Sequence, residues 1–186
     1  MQPIFDESTG LFLKAIHFSA DKHRDQRRKD KSRSPYINHP IDVTRRLWEI
    51  GEVRDPSTLI SAVLHDTLED TQTSPQEISI LFGEEVLSIV LEVTDDKSLP
   101  KQVRKRLQIE HAVHISNKAK LIKLADKSCN LFDLINSPPR LWSFERRQSY
   151  VLWTELVVAG LRGTNSALEQ TYDEILKNGK QIFKLT

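Results

Sequence analysis

The chain contains almost no cysteine and no excess of charge of either sign. Cys129 is the only cysteine among 186 residues, so an internal disulfide is excluded and a reducing compartment is expected. The net charge is only +1, which gives no overall field suited to nucleic acid or to an anionic membrane. No apolar run approaches the ~20 residues of a membrane helix, and the N-terminus lacks the apolar core of a signal peptide. These absences predict a soluble, cytoplasmic protein.

Alternating runs of β-branched residues are also nearly absent, which predicts an all-α fold. The length fits one packed domain over residues 1–186. Two helix starts are marked clearly, because Asp55-Pro56 combines an N-cap with proline at the first helical position, and Ser74 and Glu77 form a capping box. The predicted helices cover approximately residues 8–22, 40–50, 56–70, 75–82, 84–94, 100–114, 118–134, 142–161 and 165–177.

Four ionisable residues stand close together in the segment 65–70 (HDTLED). On a continuous helix, Glu69 lies one turn after His65 and Asp70 one turn after Asp66, so all four side chains occupy neighbouring turns. The preceding residues 59–64 are apolar enough to bury the helix, and buried charges need a partner. An adjacent His and Asp can ligate one metal ion, while two nearby acids can accept protons. The segment therefore predicts a metal site with its own acid–base group.

His39 and Asp126 are further candidate ligands, because two ligands are too few for a metal site. His39 stands where a loop becomes a helix, and Asp126 stands in an otherwise apolar helical stretch. Each has a plainer interpretation, since His39 could be a satisfied loop residue and Asp126 could pair with Lys123 or Lys127. A mixed imidazole and carboxylate set suits catalytic Mn²⁺ or iron better than structural zinc. Four histidines without acidic company are interpreted as surface or core residues: His17, His23, His111 and His114.

A basic segment from Arg24 to Arg33 precedes His39. Such a run is often a solvated face or a helix C-terminus, but its closeness to a candidate ligand favours a role in binding phosphate. Arginine binds phosphate through two hydrogen bonds, and lysine supplies a point charge. Asn130, one turn after Asp126, could bond a ribose or a phosphate, or be a helix-surface amide.

Five segments, in order along the chain, resemble those of a known family. They are residues 27–30 (RRKD), 35–40 (PYINHP), 65–70 (HDTLED), 92–97 (EVTDDK) and 123–127 (KLADK). With them the chain closely resembles the HD-domain hydrolases of the RelA/SpoT homologue group, and in particular the small alarmone hydrolases of the MESH1 type. The resemblance spans nearly the whole chain. It implies an all-helical HD fold, Mn²⁺ as cofactor, and removal of the 3′-pyrophosphate from guanosine tetra- or pentaphosphate (ppGpp or pppGpp).

The resemblance also implies roles for individual residues. His39, His65, Asp66 and Asp126 would be the metal ligands, and Glu69 and Asp70 would position and activate the attacking water. Spacing does not decide which of the two acids is the base, although we favour Glu69. The implied substrate-binding residues are Arg28, Lys29, Lys97, Arg104, Asn130, Arg146 and Tyr150. For Lys97 and Arg104 solvated surface is an equal alternative, and for Tyr150 the alternative is a core position.

Three other functions are alternatives to this hydrolase. The same metal chemistry could remove phosphate from another ribose-phosphorylated nucleotide, such as the 2′-phosphate of NADPH. A nucleotide-binding regulatory domain with a degenerate metal site would lack at least one ligand or acid, and none is missing. A nucleic-acid binder is disfavoured by the balanced charge and the absence of a binding motif. No pattern indicates an oligomeric state.

Overall fold

The computed structural model describes residues 7–185, and within them the chain folds into ten helices. They are α1 (Glu7–Lys22), α2 (Asn38–Glu49), α3 (Pro56–Leu64), α4 (Thr67–Asp70), α5 (Pro75–Phe82), α6 (Glu84–Val93), α7 (Lys101–His111), α8 (Asn117–Asn136), α9 (Phe144–Ala159) and α10 (Ser166–Ile182). Over the same residues there is no strand, only an isolated bridge between Arg27 and Pro35. The all-α prediction is confirmed. None of the helices in this range has the length and apolar character needed to cross a bilayer.

Helices α3 and α8 form the centre of the structure. Every residue of α3 from Thr58 to Leu64 is buried, and α8 is buried over most of its middle. Helix α3 packs against α1, α2, α6 and α8, while α8 also packs against α2, α6, α9 and α10. The end of α3 and the middle of α8 therefore meet in the interior, where His65 and Asp126 lie.

Within residues 7–185, the buried apolar side chains form two clusters that both include residues of α3. Leu59 and Ala62 belong to the larger cluster, which extends through α8 to α10. Ile60, Val63 and Leu64 belong to the smaller cluster, which includes residues of α1, α5 and α6. Because α3 contributes to both clusters, it is packed on two sides. This packing fixes the position of His65, the residue that follows α3.

The prediction of one continuous helix over residues 56–70 is wrong. Helix α3 ends at Leu64, residues 65–66 form a turn, and α4 is only one turn long. The interruption has a local cause, since Thr67 Oγ1 donates to the Leu64 carbonyl at 2.7 Å and His65 Nδ1 donates to the Ala62 carbonyl at 2.8 Å. These side chains occupy the carbonyl groups that the end of a helix leaves unpaired. The turn allows consecutive His65 and Asp66 to line the same cavity.

The predicted helix starts are confirmed at both marked positions. The Asp55 carboxylate accepts a hydrogen bond from the Thr58 backbone N–H at 2.8 Å, and Ser74 and Glu77 form a reciprocal capping box. The last helix is longer than predicted, because α10 continues to Ile182. Gly179 lies within this helix, where it is buried close to the Ile135 side chain.

Candidate metal centre and the adjoining cavities

The centre of the site is a buried group of two histidines and one aspartate, His39, His65 and Asp126, whose potential ligand atoms all lie within 4.8 Å of one another. Asp126 Oδ1 lies 3.1 Å from His39 Nε2 and 3.9 Å from His65 Nε2. Asp66 Oδ2 lies 3.1 Å from His65 Nε2 and 3.8 Å from His39 Nε2. The first turn of α2, the turn after α3 and the middle of α8 thus bring all four predicted ligands to one cavity of about 160 Å³.

The donor atoms of this group are arranged as a divalent cation requires. His65 Nδ1 donates to the Ala62 carbonyl, which directs Nε2 into the cavity, where loss of its proton makes it a metal-binding atom. That Nε2 is buried and makes no hydrogen bond of good geometry. A backbone carbonyl that orients a histidine in this way is typical of metal-bound histidines. Imidazole and carboxylate donors together fit a catalytic transition metal such as manganese or iron.

The charges of the group also favour a cation. Burial lowers the pKa of His65, but Asp66 and Asp126 outweigh burial and raise it to about 9. Burial raises the pKa of both carboxyl groups, yet His65 acting on Asp66 and Lys127 acting on Asp126 bring each pKa below its usual value. Both aspartates are therefore ionised at neutral pH. The plainer interpretation of Asp126 is correct in part, because Lys127 Nζ lies 2.8 Å from Oδ2 while Oδ1 faces the histidines.

Glu69 lines the metal cavity and has a carboxyl group of unusually low acidity. Its Oε2 accepts a hydrogen bond from the Asp95 N–H at 3.2 Å, and its Oε1 lies 3.6 Å from Arg104 Nη1. Burial, with the charges of Asp95 and Asp66, raises the pKa of Glu69 to about 7. A carboxylate with this pKa can accept a proton at neutral pH more readily than an ordinary one.

Asp70 lines the same cavity but has both oxygens engaged by neighbours. Gln26 Nε2 donates to Oδ2 at 3.0 Å, and Lys97 Nζ forms an ion pair with Oδ1. The other end of Gln26 contacts His23 Nδ1 at 2.6 Å. The two acids that the sequence placed together therefore differ in surroundings, because Asp70 pairs directly with a lysine, whereas Glu69 accepts a backbone hydrogen bond and lies 3.6 Å from Arg104.

A larger cavity of about 420 Å³ adjoins the metal cavity and shares Tyr36, Asp70 and Asn130 with it. Four predicted substrate-binding residues line this larger cavity: Arg28, Lys29, Asn130 and Tyr150. The Arg28 side chain forms an ion pair with Asp133, and its guanidinium lies 5.6 Å from the centre of the Tyr36 ring. The cavity thus combines basic groups with aromatic rings, as nucleotide binding requires.

The other three predicted substrate-binding residues lie outside this lining. Lys97 pairs with Asp70, as described above. The Arg146 guanidinium stacks on the Trp142 ring at 4.2 Å, and Trp142 itself lines the larger cavity. Arg104 lines a third cavity of about 180 Å³ between the end of α6, α7 and α8.

Sequence reasoning missed several residues that contact the site. Tyr36 donates from its hydroxyl to Asp66 Oδ2 at 2.7 Å, and its ring lies 4.9 Å from that of His23. Tyr36 belongs to the PYINHP segment, so its position next to His39 was a signal that it lies near the metal ligands. Gln26 carried no such signal, because a glutamine in a basic loop is ordinary.

Comparisons with known proteins agree with this geometry. A family model described as HD domain matches residues 15–160. The chain is 55% identical over 165 residues to the guanosine-3′,5′-bis(diphosphate) 3′-pyrophosphohydrolase MESH1 of Xenopus tropicalis, covering 89% of this chain and 92% of that protein. The human protein of the same name is 52% identical, with the same shares covered. A solved structure, described as a metazoan ortholog of SpoT that hydrolyses ppGpp and plays a role in starvation responses, has a TM-score of 0.91 and 47% identity, over 95% of this chain and 98% of that one.

Proposed function

This chain belongs to the HD-domain family and, within it, to the MESH1-type hydrolases, and on that premise we propose that it hydrolyses the 3′-pyrophosphate of ppGpp and pppGpp. The products are GDP or GTP and inorganic pyrophosphate. In this reaction the oxygen of water bonds to the phosphorus attached to the ribose 3′-oxygen. The bond from that phosphorus to the 3′-oxygen breaks, and the 3′-oxygen takes up a proton.

The proposed metal ligands are His39, His65, Asp66 and Asp126, with Mn²⁺ as the proposed ion. Support comes from their convergence on one buried cavity and from the orientation of His65 by a backbone carbonyl. When bound, such an ion acts as a Lewis acid toward a phosphoryl oxygen and makes water more acidic. Tyr36 donates to Asp66 and holds that carboxylate toward the histidines.

Glu69 is the proposed general base. Its carboxylate faces the same cavity as the four proposed ligands and has a pKa of about 7, so it is half ionised at neutral pH and can take the proton of the attacking water. Asp70 is proposed to orient that water, because Gln26 and Lys97 fix the position of its carboxylate. The two acids thereby divide proton transfer and positioning between them.

The adjoining 420 Å³ cavity is the proposed nucleoside site. Its volume is in the range of small-molecule sites. Arg28 and Lys29 are proposed to neutralise the 5′-phosphates, and Asn130 to bond the ribose near the metal cavity. Tyr150 and Trp142, whose ring centres are 5.4 Å apart, offer aromatic surface for a purine. Lys97, Arg104 and Arg146 are proposed as further contacts to phosphate.

The observation that carries this proposal is the adjacency of the two cavities. The cavity of the buried histidine–aspartate group and its acids shares three lining residues with a space that offers cationic side chains and aromatic rings. The test is to incubate the protein with ppGpp and with NADPH, each with Mn²⁺ and with excess chelator. We expect GDP and pyrophosphate from ppGpp only with metal. Orthophosphate from NADPH alone would keep the metal chemistry and change the substrate. No product from either compound would contradict the proposed hydrolase.

A further inference from the structure

Lys123 is a buried cation that forms no ion pair with the carboxylates of the described residues. The residue is 7% exposed, and its Nζ donates to the Val93 carbonyl at 3.3 Å. Among residues 7–185, no acidic side chain forms an ion pair with it, although Asp95, Asp126 and Glu69 are near enough to influence its charge. An ammonium group has three donors, so two donors of Lys123 have no hydrogen-bond acceptor in this part of the chain.

Lys127, one turn later on α8, is a buried lysine whose charge is compensated by a carboxylate. Its Nζ bonds Asp126 Oδ2 at 2.8 Å and lies 5.1 Å from the centre of the Trp153 ring. Burying an ammonium group costs several kcal/mol unless an opposite charge compensates it. The matched partner of Lys127 and the missing partner of Lys123 therefore indicate that Lys123 is positioned for an anion that is not part of the chain.

The position of Lys123 identifies which anion this is. Lys123 and Gln108 line both the metal cavity and the 180 Å³ cavity beyond it, whereas the nucleoside cavity and the 180 Å³ cavity share no residue. The three spaces therefore follow one another in a row. In a 3′-pyrophosphate, the ribose, the first phosphorus and the second phosphorus also follow one another in a row. When the nucleoside occupies the 420 Å³ cavity and the first phosphorus lies at the metal centre, the second phosphate lies toward the 180 Å³ cavity, beside Lys123.

A second cation faces the same space. Arg104 lines the 180 Å³ cavity, and its buried Nε has no hydrogen-bond partner among the described residues. Three carboxylates line the same cavity, and each accepts a hydrogen bond from a neutral donor, Asp95 from Gln108, Asp96 from the Ser98 N–H, and Glu92 from the Ser116 N–H. Arg104 Nη1 lies 3.6 Å from Glu69 Oε1, but its Nε is unpaired. Lys123 and Arg104 therefore each keep a donor for an anionic oxygen.

We propose that Lys123, assisted by Arg104, binds the distal phosphate of the pyrophosphoryl group, first in the substrate and then in the released pyrophosphate. This inference rests on the proposed function, because it assigns one end of the same substrate. This contact makes Lys123 a determinant of specificity for a diphosphoryl over a monophosphoryl group, because a monophosphate has no second phosphate to contact Lys123.

The test is calorimetric titration of the Mn²⁺-loaded protein with inorganic pyrophosphate and, separately, with orthophosphate. Loss of a hydrogen bond to a charged group is expected to weaken pyrophosphate binding by Lys123→Met about 10- to 100-fold, with a change of less than about threefold for orthophosphate. Lys120→Met is the matched control, because Lys120 lies one turn earlier on α8 and lines neither cavity. It should bind both anions as the wild type does.

Equal weakening of both anions, or unchanged pyrophosphate affinity, would overturn the assignment. If Lys123→Met does not fold, Arg104→Gln gives the same comparison on a side chain that is partly exposed, and Lys123→Arg should retain most of the pyrophosphate affinity. Binding needs no turnover, so these results stand apart from the hydrolase assay. A wild type that releases pyrophosphate from ppGpp while Lys123→Met binds pyrophosphate normally would refute this inference alone, whereas a wild type that releases none would refute the proposed function.

Discussion

Asp126 links the metal centre to the stability of the core, and its replacement by alanine tests both. Its Oδ1 faces His39 Nε2 at 3.1 Å, and its Oδ2 bonds Lys127 Nζ at 2.8 Å. The Lys127 side chain is only 7% exposed, so Asp126→Ala leaves a buried ammonium group without its carboxylate. Removing one partner of a buried ion pair typically costs ~3–5 kcal/mol. We expect the free energy of unfolding to fall by about 4 kcal/mol, together with loss of the metal.

Urea-induced unfolding in excess chelator measures this loss, because without metal no ligand contributes to the apparent stability. The matched variant is Asp126→Ala with Lys127→Met, which removes both charges and keeps a long apolar side chain. It should recover most of the lost stability, since an apolar pair often replaces a buried ion pair without cost. Metal content, measured separately, should stay low in both variants.

The pH dependence of stability gives an independent check on the same pair. Burial alone raises the pKa of Asp126. Lys127 and His39 lower this pKa by more than burial raises it, so it stays below the usual value of 3.8. The contribution of this carboxylate is therefore present above that pH and is lost as the pH falls below it. Wild type should lose more stability below pH ~4 than the double variant does. A loss under ~1 kcal/mol in Asp126→Ala, or a double variant as unstable as the single one, would refute the reasoning.

Three further predictions concern the acids of the site. Glu69→Gln should lower kcat by about 10²–10⁴-fold while leaving the metal content unchanged; a metal-free variant would show that Glu69 is needed for the ion instead. Because the pKa of Glu69 is about 7 and a base must be ionised, kcat/KM of the wild type should fall about tenfold per pH unit below pH 7, and the residual activity of Glu69→Gln should lack this dependence. Gln26→Leu removes a hydrogen bond of roughly 1 kcal/mol to Asp70 and should lower kcat about fivefold with little change in KM. A larger change in KM than in kcat would argue against a positioning role for Gln26.

Helix content and helix starts could be predicted because their causes are local. Asp55 and Ser74 precede proline and supply the side-chain oxygen that caps the next residues. The break at residues 65–66 could not be predicted in the same way. It depends on Thr67 and His65 bonding backbone carbonyls, and the same residue types occur within helices when their side chains point elsewhere.

The partners of the site residues were harder to predict than the residues themselves. His65 to Asp70 could be selected because four ionisable groups in one apolar segment are unusual. The sequence places both Lys123 and Lys127 within one helical turn of Asp126, and either could have been its partner. The structure distinguishes them, because the end of α6 brings the Val93 carbonyl to Lys123 while Asp126 turns toward Lys127. That choice depends on how separate helices pack, which no local pattern reports.

The polar atoms that folding leaves unpaired are concentrated at this site. Six buried side-chain nitrogen or oxygen atoms of residues 7–185 lack a hydrogen-bond partner, and four of them belong to His39, His65, Arg104 and Gln108. These four residues line the metal cavity or the 180 Å³ cavity beside it. Each unpaired buried group costs ~1–3 kcal/mol. Apolar residues at these positions would therefore make the fold more stable. A cation beside His65 Nε2 and a phosphate beside Arg104 Nε would supply the missing partners of these two atoms. These two atoms, which lower the stability of the free protein, therefore give it affinity for a metal and a polyphosphate.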